Sequence, residues 1–383
     1  KFRHRCAHIL MEYGAAKGVQ GEVLAEDTSP RGQKTNREVV GEFELRAASV
    51  LITSGGIGGN FDLVRKVWPT DRLGPAPAEM IAGVPAHVDG RMVAISEAAG
   101  GQVINADRMW HYTEGVKNWD PIWPAHGIRI LPGPSSMWFD AEGNRFPPPA
   151  MPGFDSLGTL KMILATGYDY SWFITTQAIV KKEFALSGSE QNPDLEAKSW
   201  KRVLQDRMLN KQATPAVEAF KEYGENFVVA KTLEELVAGM NALQGNTLLE
   251  PAKVRAEVEA RDAQITNPFS KDAQMMAIHA ARNYRGDRLL RTAKPHRILD
   301  KTKGPLIAVK LNIITRKSLG GLQTDLNSQM LDAQGEPIPG LFAAGEVAGF
   351  GGGGYHGYNA LEGTFLGGCL FSGRQAGRAD TIA

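Results

Sequence analysis

The stretch that decides the fold is GLFAAGEVAG at residues 340–349, which continues through a run of glycines into YHGYN at residues 355–359. A short apolar strand is predicted to end at Gly345 and Glu346, which places a carboxylate at the end of the strand. The glycine run permits close approach of backbone to a flat ligand. A helix predicted over about 360–376 would aim its positive N-terminal end back at that ligand. A flexible loop before a packing helix is the alternative, and it requires these features to coincide by chance.

A second strand and turn lie at residues 48–60. The apolar run ASVLIT at 48–53 is typical of a buried parallel strand, and it ends in SGGIGGN at 54–60. Glycines after a strand supply positive φ angles and let backbone approach a ligand. Because glycine pairs after strands are common, an ordinary structural turn explains this segment as well as a cofactor contact does.

The rest of the chain contains strand and helix patterns near its start and a long middle segment of different composition. Alternating apolar and polar residues at 18–24 and 39–45, around a turn at 30–32, predict a hairpin, and the pattern after Asp89 predicts a helix that stops at Gly100. Between about 108 and 305 the chain is rich in aromatic residues and proline and then becomes helical and charged. Thr232 and Glu235 predict a capping box there, and the apolar run at 306–311 predicts a return to strands.

Composition narrows the classes of partner. The 383 residues include 43 basic and 42 acidic side chains, and the formal net charge of +1 favours neither nucleic acid nor an anionic surface. No apolar run approaches the roughly 18 residues of a membrane span. The two cysteines, Cys6 and Cys369, lack metal or redox spacing, which favours a cytoplasmic location. The start at Lys1, without an initiator Met or a signal pattern, is interpreted as a truncation.

Four segments together resemble a known family. They are residues 50–60, 89–92, 318–322 and 340–349. They are similar to the FAD-binding flavoprotein family that contains fumarate reductase, succinate dehydrogenase and the 3-ketosteroid dehydrogenases. The resemblance implies an α/β fold in which a Rossmann-like FAD-binding domain, here without its N-terminal βαβ unit, is interrupted by an α+β capping domain. The implied FAD-binding domain comprises residues 1–107 and 306–383, and the implied cap comprises 108–305.

The resemblance also implies FAD as the cofactor. Glu346 would bind the ribityl chain, and the backbone from Glu362 to Thr364 would face the pyrimidine edge of the ring. The implied cofactor-binding residues are Ser54, Gly55, Gly56, Gly345, Glu346, Asn359, Glu362, Gly363 and Thr364. The glycine-rich turn that cradles the pyrophosphate in this family has no counterpart before Val50, so we expect the chain alone to bind FAD poorly.

The family's fumarate and succinate enzymes resemble one another at four dicarboxylate-handling positions, and only His111 matches here. The arginine expected after GNRF is absent from residues 147–152, Lys317 replaces the second histidine, and Ala360 replaces the other arginine. A dicarboxylate needs bidentate cationic partners, so the loss of two arginines argues against that substrate.

The 3-ketosteroid dehydrogenases resemble this chain in His356-Gly357-Tyr358 and in the segment GGLQTD at 320–325. Their reaction removes a proton next to a carbonyl while hydride leaves the neighbouring carbon for the flavin. Tyr358 is the preferred base under this hypothesis. The secondary catalytic candidates are His356, Tyr355, Tyr112 and His111.

The sequence therefore predicts an FAD-dependent oxidoreductase acting on a CH–CH bond next to a carbonyl. Its expected partners are a small apolar carbonyl substrate and an electron acceptor that the sequence does not identify, with no nucleic acid and no membrane span. A fumarate-reductase-like enzyme with an altered substrate and a non-catalytic remnant are the alternatives. The aromatic residues of the inserted region suit a flat substrate or an ordinary core. The arginines at 282, 285, 288 and 291 are interpreted as a solvated or salt-bridged helix face.

Overall fold

A computed structural model describes residues 1–188, 190–210, 212–267, 269–349 and 364–379 of this chain. The fold is mixed α/β, as the sequence predicts. The strands are β1 (His4–Glu12), β2 (Ala15–Leu24), β3 (Val39–Arg46), β4 (Val50–Ile52), β5 (Ile81–Ala82), β6 (Val103–Ile104), β7 (Met109–Lys117), β8 (Gly127–Leu131), β9 (Met137–Phe139), β10 (Tyr170–Thr176), β11 (Ala185–Leu186), β12 (Phe227–Ala230), β13 (Leu306–Ser318), β14 (Gly321–Leu322), β15 (Gln329–Leu331) and β16 (Pro337–Ala343).

Helices surround these strands. The α-helices are α1 (Phe61–Lys66), α2 (Thr70–Leu73), α3 (Arg91–Ala98), α4 (Ser156–Ala165), α5 (Gln177–Glu183), α6 (Pro193–Glu196), α7 (Trp200–Val203), α8 (Pro215–Tyr223), α9 (Leu233–Gln244), α10 (Pro251–Ile265), α11 (Ala273–Ala281), α12 (Arg285–Leu290) and α13 (Thr364–Ala376). A π-helical turn covers Leu204–Leu209, and 3-10 turns cover Lys301–Lys303 and Gly345–Ala348. Among the described residues, no helix is both long and apolar enough to cross a membrane.

The first three strands form an antiparallel sheet in the order β1-β2-β3. Val19 at the centre of β2 pairs with Ile9 on one side and Leu45 on the other. The predicted hairpin is therefore confirmed, with residues 25–38 as its long connection. The predicted helix after Asp89 is confirmed as α3.

The strands at the start of residues 340–349 and within residues 48–60 meet in a second sheet, ordered β15-β16-β4. β4 and β16 are parallel, with Val50 opposite Leu341 and Ile52 opposite Ala343. Ile52 is 4% exposed, whereas Leu51, which points to the opposite face of β4, is 42% exposed. The expectation of a fully buried strand is thus right for one face of β4 and wrong for the other.

The largest sheet is built around β13. Its order is β11-β8-β7-β13-β10-β9, and β12 and β5 also pair with β13. The first half of β13 lies between β10 and β12, and its second half pairs with β7 and β5. Ile307 and Val309 enter one core cluster and Leu306 and Ala308 another, so the strand is buried on both faces.

Helices cover both faces of this sheet. Trp172 packs with Leu236 and Val258 of α9 and α10 in one cluster, and Phe173 packs with Phe220 of α8 in the other. The predicted capping box at the start of α9 is confirmed. The core interpretation of the aromatic residues is confirmed for five side chains, each of which is at most 2% exposed: Trp110, Tyr112, Trp138, Phe139 and Trp172. The domain boundaries at 107/108 and 305/306 stay predictions.

Candidate active site

Two strand ends define the candidate site. Because β4 and β16 are parallel, their carboxyl ends lie at the same edge of the sheet. The backbone amide of Ala344 donates to the carbonyl oxygen of Ile52 at 3.0 Å, which holds the two ends together. The turn at Ser54 and Gly55 and the turn at Gly345 therefore leave the sheet side by side.

Gly56 and Glu346 are brought into direct contact at this edge. A Cβ atom on Gly56 would overlap Oε1 of Glu346 and Oγ of Ser318, so only glycine fits. The backbone amide of Ser318 donates to Glu346 Oε1 at 2.8 Å, and the amide of Ile57 donates to Ser318 Oγ at 3.1 Å. Ser318, at the end of β13, thus ties the large sheet to both glycine-rich turns.

Burial raises the pKa of the Glu346 carboxyl, and the hydrogen bond from the Ser318 amide opposes that rise. One oxygen of the carboxylate is used by this bond. The carboxyl group stands at the strand edge, where it is positioned to accept hydrogen bonds from hydroxyl groups of a ligand.

Gly345 joins this edge to the last helix. Its φ of 77° is in the left-handed region, which explains the glycine. Its backbone amide donates to Oγ of Ser372 in α13 at 2.9 Å. Thr364 is the first residue of α13, as far as the structure describes this segment.

A cavity of about 990 Å³ opens beside Ser54, between β1, the β2–β3 connection and the start of α3. Basic side chains, including Lys34 and Arg37, line it. Arg91 also lines it and forms an ion pair with Asp89 at 3.3 Å. A basic cavity of this size suits an anionic diphosphate. Lys34, Arg37 and Arg91 were not predicted as site residues, although residues 89–92 are one of the four segments that resemble the family.

A lysine and two aromatic rings form a wall next to Glu346. Lys317 pairs with Trp110 across β13 and β7, and its ammonium nitrogen lies 5.5 Å from the Trp110 ring centroid. The same nitrogen lies 4.5 Å from the ring of Phe365, at the start of α13. Such contacts are cation–π interactions. Trp110 and Phe365 were not predicted as site residues, and only the cross-strand register between β7 and β13 reveals this wall.

Tyr112 lies on the same face of β7 as Trp110, because side chains in a strand alternate. The guanidinium carbon of Arg129 lies 3.7 Å from the centroid of the Tyr112 ring. Arg129 Nε and Glu114 Oε2 form an ion pair at 3.5 Å. Burial raises the pKa of Glu114 while Arg129 opposes the rise. The ring of Tyr112 thus packs against the buried Arg129, which is itself paired with the buried Glu114.

His111 points to the opposite face of β7. Its ring lies 4.9 Å from that of Trp68, and burial lowers its pKa to about 4. It lines a separate cavity of about 490 Å³, together with Lys161 and the ion pair between Arg72 and Asp107. The structure therefore does not bring His111 and Tyr112 together on one surface.

Six predicted site residues lie outside the described residues. They are Tyr355, His356, Tyr358, Asn359, Glu362 and Gly363. Their roles stay predictions.

A cofactor-binding edge is formed in this mixed α/β protein by the carboxyl ends of β4 and β16, their two glycine-rich turns and the buried carboxylate of Glu346. The chain belongs to the FAD-binding domain family, whose model matches residues 1–366. FAD is therefore the cofactor, as the resemblance implies.

The curated relatives include KsdD-like steroid dehydrogenases. One from Mycobacterium tuberculosis (strain CDC 1551 / Oshkosh) is 57% identical over 376 residues, which cover 98% of this chain and 66% of that protein. One from Mycolicibacterium smegmatis is 57% identical over 365 residues, 95% of this chain and 66% of the relative. The chain thus spans about two-thirds of the length of these relatives.

Solved structures show the same fold. A 3-ketosteroid Δ1-dehydrogenase from Sterolibacterium denitrificans superposes with a TM-score of 0.62 at 18% identity, covering 97% of this chain and 58% of that one. The open conformation of a flavocytochrome c3 fumarate reductase gives a TM-score of 0.59 at 19% identity, covering 99% and 51%. At these identities the likeness concerns the fold.

The residues at the edge fit FAD. Glu346 Oε1 and Ser318 Oγ occupy the space that a Cβ atom on Gly56 would need, so the glycine lets the carboxyl group lie against the backbone of the turn. The buried carboxylate suits the hydroxyl groups of a ribityl chain, and the basic cavity beside Ser54 suits the diphosphate.

Proposed function

We propose that this chain belongs to an FAD-dependent dehydrogenase that acts on a CH–CH bond next to a carbonyl in an apolar, 3-ketosteroid-like substrate. The observation that carries the proposal is the strand edge at which Ser318 holds the Glu346 carboxyl against the glycine-rich turn at Gly56, because this edge fits FAD. Trp110 is 2% exposed and packs with Lys317 and Phe365 beside this edge, so it supports the site from the core. The steroid dehydrogenases at 57% identity support the same substrate class.

The proposed reaction needs a hydride acceptor and a base. FAD, when bound, supplies the hydride acceptor. Within the chain, Tyr358 is proposed to remove the proton next to the carbonyl, with His356, Tyr355, Tyr112 and His111 as secondary candidates. Of these, Tyr112 lies on the same face of β7 as Trp110, whereas His111 faces the separate cavity.

The finer description of the fold is also a proposal. We propose that the parallel pair of β4 and β16 is part of a Rossmann-like FAD-binding domain and that the large sheet is its cap. The glycine-rich turn after a parallel strand supports this assignment. A cytoplasmic location is likewise proposed, and it is supported by Cys6 and Cys369, which are free thiols.

A steady-state assay of the full protein tests the proposed function. The purified protein should reduce a dye such as dichlorophenolindophenol, through phenazine methosulfate, when 4-androstene-3,17-dione is added. The product should contain one additional carbon–carbon double bond by mass spectrometry. A steroid with a hydroxyl group in place of the 3-ketone is the matched control and should be inert. FAD-loaded protein that leaves a panel of 3-ketosteroids unchanged would refute the proposed substrate class.

Tyr358→Phe tests the proposed base, because it removes the hydroxyl and keeps the ring. If the hydroxyl takes the proton, flavin reduction by substrate should slow by roughly a hundredfold or more while FAD stays bound. Stopped-flow absorbance measures the rate, and Tyr13→Phe, at a fully exposed tyrosine, is the control. An unchanged rate with equal FAD content would move the search to His356, Tyr355 and Tyr112.

A further inference from the structure

The arginine-rich segment 282–297 has no role in the proposed reaction. It contains six arginines or lysines and one aspartate, in a chain whose formal net charge is +1. In the structure this segment includes α12 and lies at the end of the large sheet, where Arg291 donates to the carbonyl oxygen of Leu131 at 3.2 Å. Positive charge is therefore locally enriched in this segment.

Four of the five arginines of this segment divide into two kinds. Arg282 and Arg291 donate to backbone carbonyl oxygens and anchor the segment to the fold. Arg285 and Arg288 are exposed, and the ion pairs formed among the described residues do not include them. Of the two predicted alternatives, a solvated or a salt-bridged face, the exposure of Arg285 and Arg288 supports the solvated one.

Exposed apolar side chains lie between these cations. Tyr284 is 69% exposed, Leu289 is 47% exposed and Leu290 is 48% exposed. Lys182 of α5 donates to the carbonyl oxygen of Leu289 and adds a further cation at the border. We call Tyr284, Arg285, Arg288, Leu289 and Leu290 the α12 patch. Exposed apolar side chains in a group mark an interaction surface.

We propose that the α12 patch docks the protein on an anionic lipid bilayer. Exposed leucines and a tyrosine interleaved with cations are the pattern of interfacial anchors, in which apolar groups enter the headgroup region and arginines bind lipid phosphates. Tyrosine is favoured at that depth because its ring is apolar and its hydroxyl is polar.

The charge of the patch disfavours a second copy of this chain as the occupant. A symmetric dimer through α12 would place Arg285 and Arg288 near their own copies, and like charges repel. Asp287, the one acid of the segment, lies near Arg291 and acts on its charge. The lipid phosphates of an anionic bilayer pair with all of the exposed cations of the patch at once. The proposal does not depend on the proposed reaction, although an apolar substrate would be concentrated in such a bilayer.

Co-sedimentation with vesicles tests the proposal. The protein should sediment with vesicles of phosphatidylcholine containing 30 mol% phosphatidylglycerol (about one anionic lipid in three) and remain in solution with pure phosphatidylcholine. Binding should weaken when salt rises from about 0.1 M to 0.5 M, because screening shortens the range of the attraction.

Two double variants separate the charge from the apolar contribution. Arg285→Gln with Arg288→Gln should lower the partition coefficient roughly 25-fold, since each cation near an anionic surface contributes about fivefold. Leu289→Ser with Leu290→Ser should lower it on the order of tenfold or more. Lys66→Gln with Lys301→Gln removes the same charge from other exposed positions and should change little. Unchanged thermal melting confirms that the variants fold.

Three results would overturn the proposal. One is equal binding to neutral and anionic vesicles, and another is full binding by the arginine double variant. The third is a dimer abolished by the leucine double variant, without any vesicle binding, which would assign the patch to self-association.

Discussion

At Gly56 the backbone lies against Glu346 and Ser318 so closely that no side chain fits. We predict that Gly56→Ala forces these elements apart, lowers the free energy of unfolding by about 1–3 kcal/mol and reduces bound FAD. Urea unfolding and flavin absorbance per chain measure the two effects. Gly41→Ala is the control, because a Cβ there meets its neighbours only at ordinary contact distance. Wild-type stability and FAD content in Gly56→Ala would contradict the tight contact.

Gly56 and Glu346 also show how far single-residue prediction reaches. Both were predicted to face the cofactor from the family resemblance, and each follows a short apolar strand in a glycine-rich segment. Ser318, which hydrogen-bonds to both turns, was not predicted as a site residue. A serine at a strand end has no distinctive signal by itself. Its contact depends on three-dimensional pairing between residues 261 positions apart, which no local pattern encodes.

Because the carboxyl of Glu346 is buried, we predict that its contribution to the stability of the protein depends on pH. Its pKa is raised in the folded state, so the protonated form is favoured by folding. The associated stability is present below the unfolded pKa and is lost as pH rises through the folded pKa. Glu346→Gln, which is neutral at all pH, should therefore gain stability relative to wild type as pH rises from about 4 to 7.

Parallel urea titrations of Glu346→Gln and wild type at several pH values measure this difference, since contributions from other groups cancel. Glu97→Gln, at an exposed glutamate, should follow wild type throughout. A difference between Glu346→Gln and wild type that does not change with pH would show that burial has no net effect on the carboxyl.

At the scale of elements, β13 performs two tasks. Its first half is buried between β10 and β12, and its last two residues, Lys317 and Ser318, form part of the candidate site. Because strand geometry is stiff, the core that fixes the first half also fixes the position of the second. The site is therefore positioned by the large sheet as well as by β4 and β16.

Only part of β13 could be predicted. The apolar run at 306–311 identified a strand, but the structure extends it to Ser318. The second half contains Asn312, Thr315, Arg316 and Lys317, which single-sequence patterns treat as loop or surface. These polar residues remain in the strand because β7 and β5 supply backbone partners on both sides. Tertiary pairing overrides the local pattern.

The central position of β13 predicts a large effect of truncating its core. Ile307 is fully buried and belongs to a core cluster with Phe173 and Phe220. We predict that Ile307→Ala lowers the free energy of unfolding by about 2–5 kcal/mol, because it leaves a cavity in a packed layer. Val229→Ala, in the neighbouring β12 at a side chain 46% exposed, should cost less than about 1 kcal/mol. Similar losses in both variants, measured by urea unfolding, would show that β13 is not a core strand.

At the scale of the whole molecule, average properties conceal local ones. The net charge of +1 favoured neither nucleic acid nor an anionic surface, yet it sums a basic cavity beside Ser54, a basic α12 patch and the acidic residues elsewhere in the chain. The fold class and the cofactor followed from the family resemblance carried by residues 50–60, 89–92, 318–322 and 340–349. The distribution of charge over the surface depends on how distant segments pack, so composition cannot supply it.

The distribution of cations around the candidate site leads to the last prediction, which concerns dicarboxylates. His111 has a pKa of about 4 and is uncharged at neutral pH. Lys317 contacts two aromatic rings, and Arg129 is paired with Glu114. Ala360 stands where the family's fumarate enzymes have an arginine. Missing two charge-assisted pairs costs several kcal/mol of transition-state binding, roughly a thousandfold or more in rate.

We therefore predict that the full protein reduces fumarate and oxidises succinate with a kcat/KM at least about a thousandfold below its value for a 3-ketosteroid. Oxidation of reduced methyl viologen by fumarate, and dye reduction by succinate, measure the two directions. Both assays use the preparation that turns over the steroid, so that FAD content is the same. Robust fumarate reduction would show that cations other than the matched arginines bind the dicarboxylate, with Arg72 and Lys161 beside His111 as the first to test.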